Sequence, residues 1–319
     1  MGSLIETIEA SAVDLNKLKR GEKKKTSFWA SQTEAMAFDI YHQWIGTPET
    51  KHMEGVTLMM LTMRKMSEEA VVELLKNAGI LIKRFANEER VYFEWGPNKV
   101  PVSGYPDAGV TIDGGEAIVE IKTYYGQHND VEVKAGRVRL SYLKQLAIYL
   151  FHFKIPHGIL LMINQGTGEM TEFDLYQNPD NPYHFICPDN DIEFNLEETF
   201  KRWEKIYVEN VLPKVEPAIE KIYKYDIYKL DWSKISTSDI SKARNGVKVL
   251  GDWEIKYSSY KNLIVERQNT TLGYTNEEID YIRKTTEGYS RRASGMVKFV
   301  EEPESEPVGM PAKPIIKLK

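Results

Sequence analysis

Cysteine is almost missing from this chain: Cys187 is the only one in 319 residues. An internal disulfide framework is excluded, and the thiol in Phe185-Ile186-Cys187-Pro188 reads as a buried or loop residue without a catalytic role. Long apolar runs are missing too, since nothing approaches the roughly 18 residues that cross a bilayer. The first residues lack the basic start and apolar block of a secretory leader. These absences point to a cytoplasmic protein with no membrane association. Excess positive charge is also lacking, because 42 Lys and Arg against 47 Asp and Glu leave a formal net charge of −5. Nucleic-acid binders often carry a basic footprint, so a surface of that kind must here be local. Two basic runs qualify: Lys17, Lys19, Arg20, Lys23, Lys24 and Lys25, and then Lys134, Arg137, Arg139 and Lys144.

What is present alternates between helical and strand patterns without internal repeats. Spacing predicts a helix over 31–45 and another over 58–78, closed by Gly79 as the residue after the helix end. Apolar stretches at 80–84, 90–95, 100–112 and 116–123 read as consecutive strands, followed by a helix over about 137–153. Residues 159–164 and 170–176, joined by Gln165-Gly166-Thr167-Gly168, form a further hairpin. A long helical pattern over 192–223 is interrupted by Pro213 and Pro217. Thr275-Asn276-Glu277-Glu278 resembles a capping box opening a helix within 275–298. The expected class is α/β, a central mixed β-sheet flanked by helices, with helical N- and C-terminal additions.

The chemistry concentrates around one turn. Asp113-Gly114 suits a two-residue hairpin turn, because both residues tolerate positive φ. A turn there sets Asp107 opposite Glu120. Side chains alternate along a strand, so Glu120 and Lys122 share one face while Ile121 enters the core. Two carboxylates and the Ile121 carbonyl make a hard oxygen site suited to Mg²⁺ or Mn²⁺. An ion held there makes water acidic enough to attack phosphorus, and Lys122 orients that water or neutralises the charge that develops.

Two flanking helices add to this. Upstream, Glu68 shares a face with Val71, Val72 and Leu75, so it points inward, where a carboxylate needs a compensating cation or proton. Glu69 is the alternative if the helical phase slips by one residue. Downstream, Gln145 and Tyr149 stand four residues apart on one helix face. The second basic run, with Arg137 and Arg139, lies on the approach to that helix, where a phosphate backbone reaching Asp107 and Glu120 would pass.

Pro106-Asp107, Glu120-Ile121-Lys122 and Gln145-x-x-x-Tyr149 together resemble the PD-(D/E)XK nuclease superfamily, in its RecB-like, CRISPR-associated-exonuclease-like branch. The resemblance covers about residues 30–265. It implies a restriction-endonuclease-like core and a Mg²⁺- or Mn²⁺-dependent DNA exonuclease working in recombination, repair or replication, in a bacterial or phage-infected cell. By resemblance Asp107, Glu120 and Glu68 are metal or near-metal acids, Lys122 is the catalytic lysine, and Gln145 and Tyr149 contact substrate, a DNA that is single-stranded or has a free end. A structure-specific or restriction-like endonuclease is the alternative, and a non-cleaving nucleic-acid binder a further one.

Trp253-x-Ile255-x-Tyr257-Ser258-x-Tyr260 resembles the segment with which relatives bind an iron-sulfur cluster, but its cysteines are replaced. Met36, Ile255, Ser258 and Ile264 stand at the four positions, and none supplies a thiolate. No cluster is expected, and apolar packing between 31–45 and 255–264 is expected in its place. The organisation then reads as a flexible basic arm (1–26), a nuclease domain (27–265), a helical segment (266–300) and a disordered tail (301–319). Pro314-Ile315-Ile316-Lys317-Leu318 in that tail is a candidate docking motif for a replication or recombination protein.

Overall fold

The computed structural model describes residues 24–50, 55–83 and 90–288. Lys17 to Lys23 and the tail motif at 314–318 lie outside the described residues. The described residues form two compact units, one of the residues up to Lys224 together with Gly251–Leu272, the other of Tyr225–Leu250 together with the described residues from Gly273. Residues 225–250, which the sequence places inside 27–265, therefore group with the later segment.

In the first unit, β1 (Phe28–Trp29) leads through a short 3-10 turn to helix α1 (Ala37–Ile45). Helix α2 (Gly55–Asn77) follows, and it ends as the glycine predicts: Gly79 takes φ +73° and its N–H donates to Lys76 O. Next come β2 (Leu81–Lys83), β3 (Val91–Trp95), β4 (Val100–Gly104), β5 (Ala108–Ile112) and β6 (Gly115–Tyr124). Helices α3 (Gln127–Lys134) and α4 (Leu140–Phe153) cross over to β7 (His157–Asn164), after which β8 (Met170–Asn178), β9 (Asn181–Cys187) and β10 (Ile192–Asn195) lead into α5 (Leu196–Ile206). Seven strands form a mixed sheet in the order β10-β9-β8-β7-β6-β5-β2, in which only β6 and β7 run parallel. A three-stranded sheet, β1-β4-β3, stands beside it.

The expected continuous strand over 100–112 is two strands, β4 and β5, in two different sheets. Pro106 explains the break: it has no N–H to donate to a ladder, and the chain leaves one sheet and joins the other across Tyr105-Pro106-Asp107. The expected helix over 192–223 is also corrected. Residues 192–195 pair as β10, α5 follows, a π-helical turn covers Tyr207–Val211, and no helix continues past Pro213.

The large sheet is covered on both faces. Val71 and Val72 of α2 pack on Ala108, Val110, Ala117, Val119 and Ile121. On the other face Leu143, Leu146, Leu150 and Trp203, from α4 and α5, pack with Ile118 and Leu160. Cys187 is buried, and burial pushes its thiol up to about 11, so it is inert.

The second unit contains α6 (Thr237–Arg244). Within the first unit, α7 (Trp253–Tyr257) and α8 (Lys261–Arg267) follow, and α9 (Asn276–Thr285) returns to the second. Helix α9 opens with the predicted capping box, Thr275 Oγ1 accepting from Glu278 N and Glu278 Oε2 from Thr275 N. Ile227, Trp232, Ile240, Leu250 and Ile282 form this unit's own small core.

Candidate active site

The hairpin that carries the candidate residues has the register its turn dictates. Asp113 and Gly114 take φ +49° and +78°, as the twist-compatible two-residue turn requires. Ala108 pairs with Val119, and Ile112 with Gly115. Asp107 is one residue beyond the last ladder pair, on the same line as Glu120. Its Oδ2 accepts the Ile121 N–H at 2.7 Å, replacing the strand contact that the chain gives up at Pro106. The N–H and C=O of a strand residue leave on the same side, so the Ile121 carbonyl faces the Asp107 edge as well.

Glu120 is 2% exposed. Its Oε1 accepts a hydrogen bond from Lys122 Nζ, whereas its Oε2 is buried without a partner. Burial, with Asp107 nearby, pushes the Glu120 carboxyl up to about 8 against the pull of Lys122. Burial opposes the charge of Lys122, but Glu120 and Asp107 outweigh it and hold the ammonium above the usual lysine range.

Asp107 and Lys122 open onto a cleft of about 410 Å³ whose other walls are Leu61, Arg64, Lys65, Glu68, Glu69 and Val72 of α2, with Thr123 and Tyr142. Glu68 is brought to this cleft as helical spacing predicts. Burial raises its carboxyl, followed by the negative charge of Asp107. Glu69 also reaches the cleft but is exposed. The Nε of Arg64 is buried without a hydrogen-bond partner. Arg64, Lys65 and Tyr142 are cleft residues that the sequence reading missed. Arg64 lies one helical turn before Glu68, and Tyr142 one turn before Gln145, so helical spacing from the named residues would have found both.

The donor set suits a hard divalent cation. It offers two carboxylates, a strand carbonyl on the same edge, and a buried carboxylate oxygen that nothing in the fold satisfies. Among the described residues, however, no group of three or more His, Cys, Asp and Glu side chains is gathered to hold an ion. The four-member set of Asp107, Glu120, Ile121 and Glu68 is thus not preassembled. Lys122 sits on one oxygen of Glu120, the Ile121 N–H occupies one of Asp107, and Glu68 comes from a separate helix.

No family model matches this chain, and no curated protein sequence matches it. Solved structures with a similar course include a protein designated SSO0001, at 13% identity and a TM-score of 0.43, over 74% of this chain and 96% of the other. The alkaline exonuclease LHK-Exo of Laribacter hongkongensis is similar at 13% identity and a TM-score of 0.37, over 66% and 94%. Its complex with dAMP gives 14% and 0.35 over the same shares. All three scores fall below 0.5, so the site assignment rests on the geometry described above.

Helix α4 turns Gln145 and Tyr149 toward the protein interior. Gln145 and Tyr149 are 7% and 1% exposed, and Gln145 Nε2 donates to the Tyr149 hydroxyl at 3.0 Å. That hydroxyl also hydrogen-bonds the backbone of Tyr105, and burial, then Glu120, raises it well above the usual tyrosine range. A Cβ on Gly104 would lie 2.7 Å from Tyr149 Cε1 and 3.0 Å from Ala30 Cβ. The pair therefore braces the Gly104-Tyr105 backbone from beneath. Helical spacing places two residues on one face without telling which way that face is turned.

Three cations of the basic run are paired within the fold. Arg137 is bidentate to Glu132 at 2.5 and 2.9 Å, Lys134 pairs with Asp130 and Glu169, and Lys144 pairs with Glu34. Arg139 differs. Its guanidinium lies 5.9 Å from the Tyr142 ring and 5.5 Å from the Trp253 ring.

The segments expected to replace an iron-sulfur staple do meet, but the contact is polar and aromatic as well as apolar. Ile255 and Ile264 are fully buried. Ser258 Oγ donates to Asp39 Oδ1 at 2.8 Å, and Tyr260 N donates to Ser258 Oγ. The Tyr260 ring lies 5.2 Å from His42, and Thr50 N donates to Ser259 O.

Proposed function

We propose that this chain is a divalent-metal-dependent deoxyribonuclease that hydrolyses phosphodiester bonds from a DNA end. The supporting observation is the pairing of Asp107 with a Glu120 whose buried Oε2 has no partner, at the mouth of a cleft that also holds Lys122. A buried carboxylate oxygen without a hydrogen bond is costly in a fold, and a site for a cation accounts for it. Asp107, Glu120 and the Ile121 carbonyl would hold Mg²⁺ or Mn²⁺, with Glu68 across the cleft as an outer acid. A bound ion of this type supplies the charge that acidifies water and neutralises oxygens on phosphorus.

The chain's own residues have separate tasks. Lys122 brings an ammonium to the point where negative charge grows during attack. Arg64 and Lys65 line the same cleft and attract the phosphate backbone despite the acidic total. Gln145 and Tyr149 fix the backbone at Gly104-Tyr105, and so the direction from which Asp107 approaches Ile121.

The test uses end-labelled linear DNA and a covalently closed circle, each with Mg²⁺, Mn²⁺ or EDTA, beside Lys122→Ala. Nucleotides should be released from the linear DNA only, EDTA should stop release, and Lys122→Ala should lower the rate by on the order of a hundredfold to a thousandfold. Absence of metal-dependent products from the wild type would rule out the nuclease reading, and cutting of the closed circle would make the enzyme an endonuclease.

A further inference from the structure

An unusual row of rings and cations leads away from the cleft. Lys122 Nζ lies 5.5 Å from the Tyr142 ring, which itself lines the cleft. Arg139 lies against Tyr142 and Trp253, and Trp253 meets Tyr257 edge to face at 6.1 Å. Trp253 is 58% exposed and Tyr257 70%. Large aromatic rings are normally withdrawn from water, and a cluster of them on a surface marks a binding site. Among the described residues Arg139 is the one member of its basic run without a carboxylate partner, so its charge is not neutralised by the fold.

Alternation of flat rings with cations matches the alternation of bases and phosphates in an unpaired strand. Every base has a face that stacks on an aromatic ring, and the phosphates between bases meet the cations. Duplex DNA keeps its base faces inside the helical stack, so it can use the cations but not the rings. We propose that Trp253, Arg139 and Tyr142, with Tyr257 at the outer end, form a stacking track that guides a single-stranded DNA end to Lys122. This rests on the nuclease reading and adds strand preference to it. The competing role for the same contacts is mechanical, a latch in which Arg139 ties α7 to α4. A latch contributes to stability and has no preference between DNA forms.

The experiment compares wild type, Trp253→Ala, Trp253→Leu and Trp253→Phe. Fluorescence anisotropy reads their binding to a labelled oligothymidine and to a blunt duplex, with Ca²⁺ replacing Mg²⁺, and thermal melting is followed in parallel. Trp253→Ala and Trp253→Leu should each weaken single-strand binding about tenfold, with duplex binding changed less than about twofold. Trp253→Phe, which keeps a ring, should restore most of the single-strand affinity. Trp253→Leu preserves apolar bulk and so keeps the test valid should the alanine variant fold poorly. Single-strand affinity within about twofold of wild type in Trp253→Leu, or an equal loss for both DNA forms, would overturn the stacking track and leave cleavage untouched. A wild type that neither binds nor cuts DNA would instead overturn the nuclease reading on which the track rests.

Discussion

Asp39 and Glu120 are both carboxylates drawn into the first unit, one on α1 where the N-terminal segment meets residues 255–264, the other on β6 beside Lys122. Asp39 is answered by its surroundings, since Ser258 donates to it, and burial pushes it up only to about 6. Glu120 is withdrawn further, rises to about 8, and keeps an oxygen that nothing satisfies although Lys122 binds the other. A fold that needed only stability would treat the two alike. A buried acid becomes a candidate for function through what is left unsatisfied around it, more than through burial or a shifted pKa alone.

The sharpest way to break this contrast is Glu120→Gln. Removing the charge should lower metal-dependent DNA cleavage by on the order of a thousandfold. The melting temperature in EDTA at pH 8 should stay level or rise, because an amide is easier to bury than an ionised carboxylate. A cleaving variant would remove Glu120 from the site, and a large fall in melting temperature would make it a residue the fold needs for stability.

Gly104→Ala tests the brace below the same corner. Its Cβ would meet the Tyr149 ring and Ala30, so a loss of about 1–3 kcal/mol is expected in urea unfolding. Unchanged stability would show that Tyr149 yields easily and does not set the backbone at Tyr105.

The smallest effect belongs to Asp39→Asn, which should leave cleavage unchanged. The folded pKa of Asp39, about 6, lies above the unfolded value of about 3.9. Its contribution is therefore fully present below the unfolded value and is lost as pH rises through about 6. The variant should melt higher than wild type at pH 8 and match it near pH 4. A difference independent of pH would mean that the Ser258 hydrogen bond, rather than charge burial, governs this position.

The geometry of the candidate hairpin is legible in the sequence, because its information is local. Asp113-Gly114 fixes a turn, the turn fixes a register, and alternation then separates Glu120 and Lys122 from Ile121. The end of α2 at Gly79 and the capping box at Thr275 were readable for the same reason. What escaped depends on partners distant in sequence. Pro106 was visible, but the second sheet that receives β4 was not. The inward turn of Gln145 and Tyr149 is decided by Gly104 and by the core under α4. The neutralisation of Lys134 and Lys144 depends on Glu169 and Glu34, both far along the chain.

The contact from Asp107 to Ile121 spans 14 residues, whereas that from Ser258 to Asp39 spans 219. Loop-closure entropy grows with the logarithm of length, and the longer closure costs about 2 kcal/mol more. The carboxylate corner can therefore assemble from its own hairpin early in folding, while the closure near Ser258 waits for nearly the whole chain to be in place. A backbone nick between Ile121 and Ser258 would loosen that closure first and leave the carboxylate hairpin intact as a covalent unit.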